Sequence, residues 1–285
     1  LAETRQPSRA FSGARPPAWL VYIPLLALLL TAAYGRREDA DAPPAPPPLA
    51  AGEGAVLARA SPIDPAVMIR VRARSGPDAG VAFSVADSGV WLTAGKTLAA
   101  CVHPAVMVGD TEGEVTRVMA TPGGPVAVLT TPAGAPALPL ATGRLRGGEP
   151  GYAAGFPRGR PGELALRLLG RATLPQPGRG SPGLPVLAWA EIGRTQGLAG
   201  DLPALPGSPV LDGEGRVVGL ALAESPRRGL VYSTTPEALA AALAATKAPH
   251  APQAAGAVIT PDNYGLAADD LRRALRIAPV ACVRR

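Results

Sequence analysis

From Ala66 onward, short β-branched or apolar runs alternate with Gly, Pro and Asp turns, the pattern of an all-β sandwich or barrel. Runs fall at 66–75, 80–86, 90–95, 105–109, 114–121 and 126–131. After a Pro/Gly-rich connector, others follow at 149–156, 163–174, 186–193, 209–212, 216–225 and 229–235. Two series of six strands result. Pro236 to Thr246, PEALAAALAAT, opens with Pro at a first helical position after Thr235 and predicts a helix. Beyond a turn at 260–265, residues 266–278 carry Leu266, Leu271, Leu275 and Ile277 as a partial apolar stripe, predicting a second helix that docks on the domain.

Residues 1–62 follow another pattern. Residues 18–34, AWLVYIPLLALLLTAAY, hold 17 positions without a charge, at the short end of what spans a bilayer as a helix. Trp19, Tyr22 and Tyr34 sit near its ends, where aromatic rings favour the headgroup layer. Arg5, Arg9 and Arg15 before the span favour a cytoplasmic N-terminus over residues 1–17, although Arg36 and Arg37 weaken the asymmetry. A cleaved signal peptide is the alternative, but the run exceeds the usual apolar length and only Ala40-Asp41-Ala42 offers a small-x-small site. The expectation is a single-pass anchor in the cytoplasmic (inner) membrane with the main domain in the periplasm. Residues 35–62, centred on APPAPPPLAAGEG, read as an extended polyproline-like tether. A domain over 63–246 and an extension over 247–285 complete the chain.

Composition narrows the choices. The 285 residues include 34 Gly and 34 Pro, which excludes a coiled coil, while 47% hydrophobic residues suffice for one sizeable core. The net charge of +6 is spread along the chain: residues 1–65 carry six charges of each sign and 66–246 carry 16 basic against 13 acidic. Nucleic acid is therefore not an expected partner.

Four stretches carry a family resemblance: GVAFSVADSGVWLTAG (80–95), VAVLTT (126–131), EPGYAAGFPRGRPGE (149–163) and LPGSPVLDGEGRVVGLALAES (205–225). They resemble the trypsin-like serine proteases, in particular the bacterial high-temperature-requirement-like branch. The resemblance implies a double six-stranded β-barrel. The last stretch is the most specific: a nucleophile-bearing turn is followed in the family by Pro, a short strand, an Asp/Gly turn and an apolar strand ending beside the substrate pocket, and Pro209 to Glu224 match. Relatives often add a peptide-binding (PDZ) domain of about 90 residues; with 39 residues from Lys247 to Arg285, that module is expected to be absent.

The resemblance fails where the chemistry should be. The family's histidine follows the WLTA stretch at once, and the matching position is Lys96. Its aspartate opens the D-[LI]-A-[VL]-L strand, matching Pro125, and its nucleophile matches Pro206 of LPGSP. Attack by a serine needs a base, an orienting carboxylate and N–H donors facing the oxyanion. Pro206 has no hydroxyl and no amide hydrogen, and one lost oxyanion donor alone costs about 3 to 4 kcal/mol. Ser208 is the fallback nucleophile, with Lys96 as base if partly buried, against the reading of a turn serine and a solvated lysine. His103 is the fallback base with Asp110 behind it, against the reading of an exposed loop residue; His250 lies in KAPHAPQ and carries no role. No cofactor and no metal site are expected, since two histidines and two cysteines lie far apart without ligand spacing.

Cys101 and Cys282 are the only cysteines, and an even count outside the cytoplasm invites a disulfide, with two unpaired thiols as the alternative. The leading functional expectation is a membrane-anchored, extracytoplasmic pseudoprotease that binds or regulates a protein or peptide partner. An active serine endopeptidase through Ser208, and a structural subunit of an envelope membrane complex, are the competing readings.

Overall fold

The computed structural model describes residues 23–28, 30–31, 54–67, 78–98, 101–108, 111–115, 117–120, 124–176, 183–195, 205–248 and 256–283. The chain divides into two compact units, 1–47 and 48–285. In the first, residues 23–28 and 30–31 are helical and exposed. Among the described residues no helix is long and apolar enough to cross a membrane; much of the 18–34 segment lies outside them.

The second unit holds two β-layers. The first is a seven-stranded sheet in the order β4-β3-β13-β1-β2-β6-β5. Its strands are β1 (Asp78–Ala86), β2 (Val90–Ala94), β3 (Pro104–Val108), β4 (Thr111–Glu114), β5 (Arg117–Ala120), β6 (Val126–Thr130) and β13 (Ile277–Cys282). The second is a closed barrel of β7 (Pro150–Gly155), β8 (Gly162–Leu174), β9 (Leu184–Arg194), β10 (Pro209–Leu211), β11 (Val217–Ser225) and β12 (Leu230–Ser233). Every pairing between these named strands is antiparallel. One apolar cluster runs through both, joining Val81, Phe83, Leu92 and Val128 to Tyr152, Leu211, Leu220 and Tyr232. The buried indoles of Trp91 and Trp189 are satisfied by Thr131 Oγ1 and Ser233 Oγ, each at 2.9 Å.

The six-stranded second barrel agrees with the reading of the sequence, but the first layer corrects it. The expected strand at 66–75 lies mostly outside the described residues, and its start belongs to the other layer: Val67 N donates to Thr173 O of β8 at 2.8 Å. The run at 114–121 is not one strand, because the chain changes partners there: β4 pairs with β3 at one edge and β5 with β6 at the other.

The tail differs most. Helix α1 (Pro236–Thr246) has the expected bounds, with Thr235 as N-cap accepting from Ala238 N and Lys247 closing it at φ 50°. Helix α2 (Tyr264–Arg273) is shorter than the expected 266–278. It stops because Leu275 turns left-handed at φ 55°, with Arg276 N donating to Leu271 O at 2.8 Å and Leu275 N to Arg272 O at 3.0 Å, the paired bonds of a Schellman ending. The residues after it become β13, an interior strand between β1 and β3. β13 brings Cys282 opposite Pro104 and into a disulfide with Cys101, across a sequence separation of 181.

The tether also ends earlier than residue 62. Leu57 N donates to Leu145 O, Gly147 N to Ala55 O and Arg171 Nε to Ala58 O, so residues 54–58 run along the second barrel as a strap. Leu57 packs on that barrel's core, which offsets the ordering entropy that a polar tether could not recover.

Candidate functional site

Three positions separated by up to 110 residues converge at the junction of the two layers. β2 is buried along its length and ends at Ala94, and a 3-10 turn over Gly95–Leu98 places Lys96 just beyond. Gly95 N donates to Pro125 O at 2.9 Å, tying that turn to the residue before β6. Pro206 O accepts from Val81 N of β1 at 3.0 Å. Pro206 O and the Thr97 methyl both pack on Gly80, each within 2.6 Å of where a β-carbon there would stand. The turns carrying Lys96, Pro125 and Pro206 are thus direct neighbours.

The turn at Pro206 is locked from both sides. Gly207 has φ +96°, and a β-carbon on it would lie 1.9 Å from Val81 O and 2.8 Å from Thr93 Oγ1, so only glycine fits. Gly207 N donates to Ala221 O at 2.8 Å, and Ala221 N donates to Ser208 O at 2.9 Å. Thr93 Oγ1 donates to Val81 O at 2.7 Å, so this threonine supports β1 where it holds the turn.

The side chains at these positions do not form a charge relay. Pro125 and Pro206 offer only carbonyl oxygens, and Pro206 supplies no N–H where an oxyanion would need one. Lys96 donates its ammonium to Leu222 O of β11. The residue as a whole is exposed, yet its ammonium is crowded by protein atoms. That desolvation lowers its pKa to about 8, with the nearby Glu224 carboxylate opposing the shift.

The two fallback residues lie in different surroundings. Ser208 is fully buried, and its Oγ has no hydrogen-bond partner. It points at Gly155, where an added β-carbon would come within 2.4 Å of it. Lys96 is not bonded to it. His103 is exposed in the loop before β3, bonded through its carbonyl to Val283 N at 2.9 Å, and Asp110 and His250 lie outside the described residues. Among the described residues no group of three or more His, Cys, Asp or Glu side chains could hold a metal ion.

Two features had no signal in the sequence. One is the Lys96–Leu222 contact, which needs the fold to bring residues 126 apart together. The other is a buried ion-pair cluster behind Ser208. Arg272 of α2 pairs with Glu163 and donates to the carbonyls of Gly155 and Gly162, both at 3.1 Å, while Thr195 Oγ1 donates to Glu163. The guanidinium also lies over the Phe156 ring at 5.5 Å. This clamp fixes the turn end of the β7–β8 hairpin, whose Gly155 backs Ser208.

The family profile of the trypsin-like peptidase domain matches residues 80–220. Among solved structures, the active form of the Rv3671c protease from M. tuberculosis is 22% identical with a TM-score of 0.51, covering 64% of this chain and 78% of that one. An inactive form of Rv3671c from M. tuberculosis H37Rv is 21% identical with a TM-score of 0.50, covering 60% of this chain and 84% of that one. The HtrA-type protease AlgW with a decapeptide is 18% identical, with a TM-score of 0.47, covering 60% of this chain and 52% of that one. No curated protein sequence matches the chain. At these identities the structural likeness is one of fold. The chain has a trypsin-like fold around the matched residues 80–220, in which the second barrel is closed and the first layer is completed by β13.

Proposed function

We propose that this chain is a catalytically silent member of the trypsin-like peptidases, held at the extracytoplasmic face of the cytoplasmic membrane by residues 18–34. It works by binding a protein or peptide partner at the junction of its two β-layers. The observation that carries the reading is Pro206: its ring nitrogen has no hydrogen at the position that matches the family's nucleophile and oxyanion donor, and Ser208, two residues on, is buried with its Oγ unbonded. The apolar, helical and exposed residues 23–28 and 30–31 support the anchor, and the disulfide supports an oxidising compartment.

Two measurements test it. The full chain, purified in detergent, should leave fluorescently labelled casein uncut at every pH from about 5 to 9, the span over which a histidine or perturbed lysine base would titrate. In cells it should stay with membranes through alkaline carbonate and be digested from outside in spheroplasts. Casein cleavage abolished by Ser208→Ala would establish the competing endopeptidase, and release by carbonate would remove the anchor.

A further inference from the structure

Because the strands of the second barrel alternate in direction, two of its turns meet at one end. There β7 turns into β8 with Gly155 opposite Gly162, and β11 turns into β12 with Ser225 opposite Leu230. The last residues of β9 lie between them: Arg194 stands opposite Leu164, and Glu191 N donates to Gly229 O at 2.8 Å. β10 starts at this end too, directly after the Pro206 turn, so the end borders the junction of the two layers.

The two turns have the same construction. Pro157 opens a 3-10 turn over Pro157–Gly159 that closes with Arg160 N donating to Pro157 O at 3.1 Å. Pro226 opens another over Pro226–Arg228 that closes with Gly229 N donating to Pro226 O at 3.2 Å, Gly229 taking a left-handed φ of 58°. Proline fixes one backbone angle in each. Arg160, Arg227 and Arg228 are thereby held exposed on short, stiff turns, and among the described residues none of them is paired with a carboxylate. The acids close by are engaged: Glu191 by Arg194, Glu163 and Asp269 by Arg272, and Asp270 by Arg273, while Glu224 faces the charges of Lys96 and Arg194. What is left at this end is an excess of guanidinium donors.

We propose that this end of the second barrel is a docking surface for an acidic segment of a partner protein, held by Arg227 and Arg228 on one turn and by Arg160 on the other. A guanidinium fork takes a carboxylate through two parallel hydrogen bonds, and a turn that is already stiff loses little freedom on binding. The inference rests on the partner-binding reading above and supplies the partner's charge. An anionic bilayer would offer the same charge, but the strap through which the chain enters this unit bonds at the opposite end, with Leu57 on Leu145 ahead of β7 and Val67 on Thr173 near the end of β8. β8 has 13 residues, which at about 3.3 Å each separate its ends by about 40 Å.

Panning a phage-displayed random decapeptide library on the full chain in detergent, at physiological ionic strength, tests the surface. Selected peptides should be rich in Asp and Glu. They should bind the chain carrying Arg227→Gln and Arg228→Gln about ten-fold or more weakly, the loss expected when charge-assisted hydrogen bonds are removed. Arg59→Gln with Arg144→Gln removes the same charge from exposed positions away from this end and should leave affinity within about two-fold, because distant surface charges are screened. Peptides without an acidic excess, or equal losses in the two variants, overturn the acidic docking surface and leave partner binding standing. A library that yields no binder overturns the partner-binding reading itself, and the surface falls with it.

A second arm places the full chain in phosphatidylcholine vesicles with or without phosphatidylglycerol and follows phenylglyoxal modification of Arg227 and Arg228 by peptide mass spectrometry. Equal rates in the two vesicles are expected. Protection confined to the phosphatidylglycerol vesicles would make lipid the occupant and overturn the proposal.

Discussion

The amide of Val81 donates to the carbonyl of Pro206 at 3.0 Å, so a strand of the first layer grips the turn where the second layer would present a nucleophile. With Gly207 wedged against Val81 O, that turn cannot open without losing strand β1. Restoring the serine alone therefore restores little. Pro206→Ser should remain unlabelled by a fluorophosphonate, because the Lys96 ammonium is bonded to Leu222 and position 125 carries no carboxylate. Rapid labelling of that single variant would show that another base serves the site.

Ser208 contributes a buried hydroxyl with no partner. Leaving such a group unsatisfied costs about 1 to 3 kcal/mol. Ser208→Ala should hold stability level or raise it by about 1 kcal/mol in urea unfolding, a gain smaller than the full cost because some packing is lost. A loss of similar size would reveal a bond that Ser208 makes.

The Arg272–Glu163 pair is the reverse case, since both side chains are 9% exposed and interlocked with backbone carbonyls. Removing one partner of a buried pair strands the other charge, at about 3 to 5 kcal/mol. Arg272→Met should show a loss of that order in denaturant midpoint, and Arg272→Met with Glu163→Gln together should recover part of it. Additive losses in the double variant would mean that the pair is not coupled.

The disulfide closes a loop with a sequence separation of 181, for which chain-entropy arithmetic gives about 5 kcal/mol. Cys282→Ser should lower the unfolding midpoint sharply. Removing residues 277–285 should be worse, since β1 and β3 each lose an interior neighbour. A truncated chain with an unchanged midpoint would contradict the placement of β13.

Lys96 also sets a pH signature. Its folded pKa, about 8, lies below the ordinary lysine value of 10.5, so between those limits the unfolded chain holds more protons and stability rises with pH. Below about 8 the lysine is charged in both states and the cost of desolvation is fully present. The stability of the unaltered chain relative to Lys96→Met should therefore climb from about pH 8 towards 10, where the raised tyrosine pKa values affect both proteins alike. A flat or falling difference would contradict the desolvated position of the ammonium.

Much of this fold was legible because local patterns carried it. The alternating runs at 80–86, 90–95 and 126–131 and the Thr235-Pro236 helix start are rules of neighbouring residues, and they agree with β1, β2, β6 and α1. The turn motif at 205–209 located Pro206 for the same reason. What was missed is long-range. Ile277 ends the apolar stripe read as helix over 266–278, and only the slot between β1 and β3, with the left-handed Leu275 before it, makes Ile277 to Cys282 a strand. Likewise, nothing near Lys96 in sequence announces Leu222, and nothing near Arg272 announces Glu163.

The central claim, a peptidase fold without a competent nucleophile, meets its most direct test in one experiment. The full chain is incubated with a fluorophosphonate probe and its intact mass and tryptic peptides are measured. The mass should stay unmodified and no serine, Ser208 included, should carry label; a covalent phosphonyl adduct on any serine of residues 80–220 would overturn catalytic silence.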